Sequence, residues 1–256
     1  MKELAVVTGG SRGIGLAITK KLIEMNFAVA VIHENEKQAR IKIPKDQGFE
    51  FIGDVGIIGD VLAFHEQLKI KAKENDWNAT VLVNNAGKAS AKKFMDLTEN
   101  DFEEMLKTNL MGAFFMSREF VKICEKGNNE SVSSRIINIS SVSGLQGFSG
   151  HAHYCASKFA LNGMMQVMAK ELSKLGIAVN NICPGPTATG MWERLDEEYK
   201  EAGFMPKEAR EDDYFSKLLI KRIGEPEDIA QAVEFLVKSE YTTGVNLIVS
   251  GGNILR

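Results

Sequence analysis

Short β-branched runs alternate with longer helical patterns along the whole chain, and this alternation constrains the fold more than any other feature. Leu4–Thr8, Phe27–Ile32, Thr80–Asn84, Arg135–Ser140, Ile177–Ile182 and Asn246–Val249 read as strands, with Phe49–Ile52 as a weaker one. Several are apolar nearly throughout, as expected of parallel strands covered on both faces. Between them, Gly13–Met25, Val61–Glu74, Asn100–Cys124, Tyr154–Leu175 and Glu227–Val237 have helical character. Leu161, Met164, Met165 and Met168 share one apolar face of the fourth of these. The pattern predicts an α/β protein: a doubly wound, seven-stranded parallel sheet with helices on both faces. A chain of 256 residues can bury one core of its own, so a single domain over 1–256 is expected. Pro184–Arg222 is a long connection that carries Met191, Trp192, Phe204, Met205 and Phe215 among many charges. A connection of that length is usually functional, which predicts a lid over a substrate around residues 186–222.

Charge and composition exclude several other functions. The net charge of -3 offers no broad basic field for nucleic acid. No run of 18 or more apolar residues suggests a membrane span, and Met1–Gly10 reads as a strand and turn rather than a secretory signal. The three cysteines, Cys124, Cys155 and Cys183, are widely spaced and odd in number, which fits reduced thiols and a cytoplasmic location. The Asn-x-Ser/Thr triplets at Asn78, Asn129 and Asn138 then carry no glycosylation signal. His151, His153 and Cys155 lack a second ligand cluster, so no metal is expected.

Two local motifs carry chemistry. The first strand runs into Gly9-Gly10-Ser11-Arg12-Gly13-Ile14-Gly15 and then a helix. Glycines let the backbone turn tightly against a diphosphate, and the helix N-terminus offers unpaired N–H groups at the positive end of its dipole. Taken by itself, the turn also reads as one without a ligand, because its spacing departs from G-x-G-x-x-G. The second motif is Tyr154 and Lys158, four apart on one helical face. A phenol near pKa 10 is a poor acid or base at neutral pH, and a neighbouring ammonium is expected to bring it down into a useful range.

Further motifs stand in order around these two. Asn84-Asn85-Ala86-Gly87 follows one strand, Asn109 lies in a helical stretch, Ser140-Ser141 ends another strand, and Pro184-Gly185 precedes Thr189 and Met191. Together they resemble the short-chain dehydrogenase/reductase family over essentially the whole chain, which implies a Rossmann fold. The resemblance implies that Gly9, Ser11, Gly13, Ile14 and Gly15 hold a cofactor diphosphate. It also implies that Asp54 and Val55 line the adenine, that Asn84, Ala86 and Gly87 lie beside the adenosine ribose, and that Pro184, Gly185 and Thr189 hold the nicotinamide carboxamide. Ser141, Tyr154 and Lys158 match the catalytic serine, tyrosine and lysine, with Asn109 supporting through a water. Tyr154 and Lys158 would also touch the cofactor. Thr80 and Ser250 stand where many relatives have Asp, and neither change removes a catalytic group.

The implied activity is NAD(P)H-dependent oxidoreduction of a carbonyl/alcohol pair. The 3-oxoacyl-carrier-protein reductases are the subgroup this chain looks most like, with a carrier-protein-bound substrate. Val132 and Leu175, however, stand where those relatives often carry basic residues, although Lys174 and Arg135 are close. The long connection equally suits a dehydrogenase of polyols, hydroxy acids or steroid alcohols. A cofactor-binding regulator without turnover is the remaining alternative, against which the full set of catalytic side chains argues. Relatives are commonly homotetramers, so the same is expected here. On cofactor choice, His33 stands where an acid usually ends the second strand, and Arg12 is placed to pair with a 2′-phosphate. Glu34, one position late, should point to the other side of an extended strand. NADP(H) is therefore expected over NAD(H).

Overall fold

Seven parallel strands form one sheet in the order β3-β2-β1-β4-β5-β6-β7. They are β1 (Lys2–Thr8), β2 (Ala28–His33), β3 (Gly48–Ile52), β4 (Trp77–Asn84), β5 (Ser134–Ile139), β6 (Ile177–Pro184) and β7 (Asn246–Val249). This is a computed structural model, and it describes residues 1–34, 41–124, 130–204 and 218–255. Met205 and Phe215 of the expected lid, and Asn129 of the Asn-x-Ser/Thr triplets, lie outside the described residues.

Side chains alternate across each strand and build a core on either side. From β1, Leu4 and Val6 enter the core beneath α2 (Ile58–Asn75), α4 (Ala113–Ile123) and α5 (Ala152–Leu172). Ala5 and Val7 enter the opposite core, beneath α1 (Gly13–Glu24) and α7 (Pro226–Lys238). Both faces are thus covered, which is why the strands read as continuous apolar runs. The order reverses beside β1, whose neighbours are β2 and β4. This is the switch point at which a doubly wound sheet opens a crevice.

Three segments differ from the sequence reading. The helix expected over Asn100–Cys124 is broken: α3 (Glu99–Leu106) and α4 are joined by a π-helical turn, Lys107–Gly112. Gly112 at the end of that turn packs against Val55, where an added Cβ would come within 2.6 Å of Cγ2. The turn swings Asn109 inward, and such bulges recur at functional positions. Second, the connection after β6 contains a helix of its own, α6 (Gly190–Glu201), whose N-cap Thr189 accepts a hydrogen bond from the Trp192 amide. Third, α5 starts two residues before Tyr154, so the phenol sits in its first turn.

Phe64 of α2 is fully buried, with ring centroids of Phe49 and Phe51 at 6.0 and 5.7 Å. Phe64→Ala is expected to cost about 3–5 kcal/mol, the usual range for emptying an aromatic core site. Urea unfolding monitored by circular dichroism checks this, and a loss below about 1 kcal/mol would show that α2 does not depend on this contact.

Candidate active site

The C-terminal ends of the strands open into one cleft of about 2100 Å³. Its floor at one end is the glycine turn. Gly9 and Gly13 have φ of +63° and +51°, a region that favours glycine. A Cβ on Gly15 would stand 2.1 Å from the Gly9 carbonyl oxygen. No side chain caps α1 and no acid lies in its first turn, so the positive helix end is left to an anion. This cradle fits a cofactor diphosphate on the structure's own terms. Gly9, Ser11, Arg12, Gly13, Ile14 and Gly15 all line the cleft.

Farther along, the structure sorts the expected cofactor residues. His33, Val55, Ala86, Gly87, Pro184, Gly185 and Thr189 line the cleft. Asp54 and Asn84 are not among its lining residues. Asp54 accepts from the Gly56 amide at 2.7 Å and shapes the turn into α2. Asn84 donates to Ser117 Oγ and Asn138 Oδ1, both at 2.9 Å, inside the sheet layer. Its neighbour Asn85, which the sequence reading passed over, takes the cleft position and donates to the Thr8 and Gly9 carbonyls at 2.9 and 3.2 Å. β4 ends at Asn84, so strand alternation does not reach Asn85, and no local pattern separates the two.

The expected orientation of Glu34 is corrected. β2 ends at His33 and Glu34 is in a bend, so strand alternation no longer applies. Glu34 lines the cleft, with its carboxylate 3.9 Å from Lys88 Nζ. His33 is buried beside it, its Nε2 3.4 Å from Glu50 without hydrogen-bond geometry, and neither of its ring nitrogens has a hydrogen-bond partner.

Ser141, Tyr154 and Lys158 converge at the other end. Ser141 follows β5, and its Oγ accepts from the Ser143 amide at 3.0 Å, which leaves its hydrogen free to donate. Lys158 is buried one turn after Tyr154, and its Nζ donates to the Ile139 carbonyl at 2.9 Å. Asn109 does not reach the cleft surface. Its Oδ1 accepts from the Lys88 amide at 2.8 Å, while Nδ2 donates to the Lys88 carbonyl and to Ser157 Oγ at 2.9 and 3.0 Å. Asn109 and Lys158 meet at Gly87: a Cβ there would stand 3.3 Å from Asn109 Oδ1 and 3.7 Å from Lys158 Nζ.

The electrostatics differ from the sequence expectation. Burial pushes the Tyr154 phenol up to about 12, with a Ser141 hydrogen bond pulling the other way. The same burial brings the Lys158 ammonium down to about 8. Loss of water penalises the charged form of each group, which moves the phenol up and the ammonium down.

α6 closes the far wall. Arg194 Nη2 donates to the Ala89 carbonyl at 2.8 Å, and Glu198 Oε2 accepts from the Ala91 amide at 2.7 Å. Beneath these bonds Ala89, Ala91 and Leu195 are buried against Tyr154 and Tyr199. The Tyr199 hydroxyl meets the His151 ring at 3.0 Å, and the His151 ring stands edge-on to Tyr154 with centroids 5.3 Å apart. Among the described residues no group of three or more His, Cys, Asp or Glu side chains is arranged to hold a metal, and no helix is long and apolar enough to cross a membrane.

Comparison with known proteins fits this geometry. Residues 3–200 match the family model described as short chain dehydrogenase, so the chain belongs to that family. It is 36% identical to the L-2,3-butanediol dehydrogenase of Corynebacterium glutamicum, over 98% of each chain. It is 33% identical to a diacetyl reductase [(S)-acetoin forming] of Staphylococcus aureus, over 98% of this chain and 97% of that one. An actinorhodin polyketide ketoreductase solved with NADPH superposes with a TM-score of 0.86 at 27% identity, covering 98% and 97% of the two chains. The protein is accordingly an NAD(P)H-dependent oxidoreductase that reduces a ketone to an alcohol. The resemblance to 3-oxoacyl-carrier-protein reductases is one of several: such a reductase of Rickettsia conorii is 32% identical over 99% of this chain and 97% of its own.

The depressed lysine sets a pH signature. Between about 8 and its ordinary 10.5, Lys158 is neutral in the folded protein and charged in the unfolded chain. Its contribution to stability is therefore present above the unfolded value and lost as pH falls through the folded one. Lys158→Met removes the buried charge, so its gain in urea midpoint over wild type should be larger at pH 7 than at pH 10. An equal gain at both pH values would show that the ammonium is not shifted.

Proposed function

We propose that this enzyme interconverts small vicinal diketones, hydroxyketones and diols, the substrates named for the two relatives of 33–36% identity. The observation that carries the reading is the clamp of α6 on Ala89 and Ala91. It leaves a short apolar wall of Ala89 and Leu195 beside Tyr154, backed by the buried Ala91. A compact ketone is enclosed by that wall. Of the expected lid, α6 is the part that closes on this wall.

A nicotinamide cofactor in the cleft supplies the hydride. Tyr154 gives its proton to the carbonyl oxygen. The Ser141 hydroxyl donates to that oxygen as negative charge develops there. Lys158, partly neutral near pH 8, takes up and passes on the proton that restores the phenol. Asn109 positions the Lys88 backbone and, through Oδ1, faces the lysine across Gly87.

Tyr154→Phe keeps the ring and removes the proton donor. Diacetyl reduction, followed by loss of reduced-nicotinamide absorbance, should fall by at least about 10²-fold, the lower range for an acid-base group, with cofactor affinity kept. The same assay on a panel including acetoin, 3-oxoacyl thioesters and a steroid ketone tests the substrate. A higher kcat/KM for the thioester than for diacetyl would overturn the diketone reading.

For the cofactor we infer NAD(H), the reverse of the choice drawn from Arg12. The support is Glu34 on the cleft wall, where its carboxylate would accept from a ribose 2′-OH and would repel a 2′-phosphate. NADH should give the higher kcat/KM. Glu34→Gln should narrow the gap about tenfold or more, the scale of a charged hydrogen bond. A preference for NADPH that Arg12→Ala abolishes would return the choice to Arg12.

A further inference from the structure

Four asparagines stand side by side across the sheet. The pairing register sets Asn84 against Asn138, Asn138 against Asn181, and Asn181 against Asn246. Their side chains form a chain of amides in one direction. Asn84 Nδ2 donates to Asn138 Oδ1, Asn138 Nδ2 to Asn181 Oδ1, and Asn181 Nδ2 to Asn246 Oδ1, each at 2.9 Å. Asn138 and Asn181 are fully buried, and buried amides of this kind are costly unless paired.

The ladder has a branch that leads to the catalytic turn. Asn181 Nδ2 also donates to Asn162 Oδ1 at 2.9 Å. Asn162 is buried on α5, at i+4 from Lys158 and i+8 from Tyr154, on the same face. Its Oδ1 accepts from Ser140 Oγ at 2.6 Å, and its Nδ2 donates to the Gly144 carbonyl at 2.8 Å. One amide therefore grips both ends of the turn Ser140–Gly144, and Ser141 is inside it. The grip is close: a Cβ on Gly144 would stand 2.8 Å from Asn162 Nδ2.

We propose that Asn162 is a positioning residue that holds Ser141 in register with Tyr154, with the amide ladder fixing which way its side chain faces. The physical reason lies in the connectivity. Tyr154 and Lys158 ride on α5, whereas Ser141 rides on the turn after β5. Lys158 joins the two through the Ile139 carbonyl before the serine, and Asn162 joins them on both sides of it. A helix that slid or tilted against the sheet would change the distance between the hydroxyl and the phenol. Asn162 opposes that motion directly beneath the serine. With the Ser140 hydroxyl and Asn181 amide both donating to Oδ1, a flipped amide would face donors with a donor.

The test is a double-mutant cycle on kcat, run with whichever ketone of the panel turns over best, so that it does not depend on the diketone reading. Asn162→Leu keeps the volume and removes the grip. In wild-type background it should lower kcat about tenfold, with the cofactor Kd within twofold. In a Ser141→Ala background the same change should cost less than twofold, because the serine it positions is gone. Asn162→Asp, which keeps the acceptor for Ser140 and loses the donor to Gly144, should fall between wild type and Asn162→Leu and show the same background dependence. It serves alone if Asn162→Leu does not fold. An equal loss in both backgrounds, or a kcat within twofold of wild type with only a lowered Tm, would overturn the proposal and leave Asn162 as a stabilising residue.

Discussion

Thr8 Oγ1 accepts two backbone hydrogen bonds, from the amides of Asn85 and Ala86, each at 2.9 Å. Everything in the cleft is measured from this tie. It joins the ends of β1 and β4 where the strand order reverses, and Asn85 reinforces it by donating back to Thr8 and Gly9. The glycine turn is thereby held at a fixed height against the loop that leads to Lys88 and Ala89. A parallel sheet supplies the strand ends, but only a bond between neighbouring loops sets their separation.

Burial shifts both Tyr154 and Lys158. Tyr154 and Lys158 move in opposite directions, up and down, from one cause. Both shifts favour neutral forms, and a neutral phenol suits a proton donor in ketone reduction. Dryness also raises the cost of any misplaced polar atom. Around this site the fold responds with paired amides: Asn109 on Lys88 from the π turn, and Asn162 on Ser140 and Gly144 from α5. Of the ladder's buried amide atoms, Asn84 Oδ1 is the one without a hydrogen-bond partner. It sits at the far end from the serine turn.

α6 shows how a charged, poorly patterned connection becomes a wall. Its sequence, Gly190–Glu201, is rich in acids and carries few apolar residues. Its place comes from Arg194 and Glu198 pairing with one another and with the backbone at Ala89 and Ala91. Side chain to backbone bonds of this kind require two distant segments, so no local rule reveals them.

The strand–helix alternation and the glycine turn were legible in the sequence because each rests on local pattern, whereas Ser141, Tyr154 and Lys158 were named through the family resemblance and are found together on one cleft. Short-range pattern carried the sheet and its two cores, since a strand covered on both faces must be apolar throughout. What the sequence could not decide were matters of direction. Asn84 and Asn85 are alike as letters, yet one faces the sheet layer and the other the cleft. Glu34 escapes strand alternation because β2 stops one residue before it. Asn109 depends on a π turn, and Tyr154 on how dry its pocket is. Asn162 and the amide ladder depend on register between strands up to 65 residues apart. Register and burial are properties of the packed whole: only when β4, β5, β6 and β7 lie side by side do their asparagines become one hydrogen-bonded row.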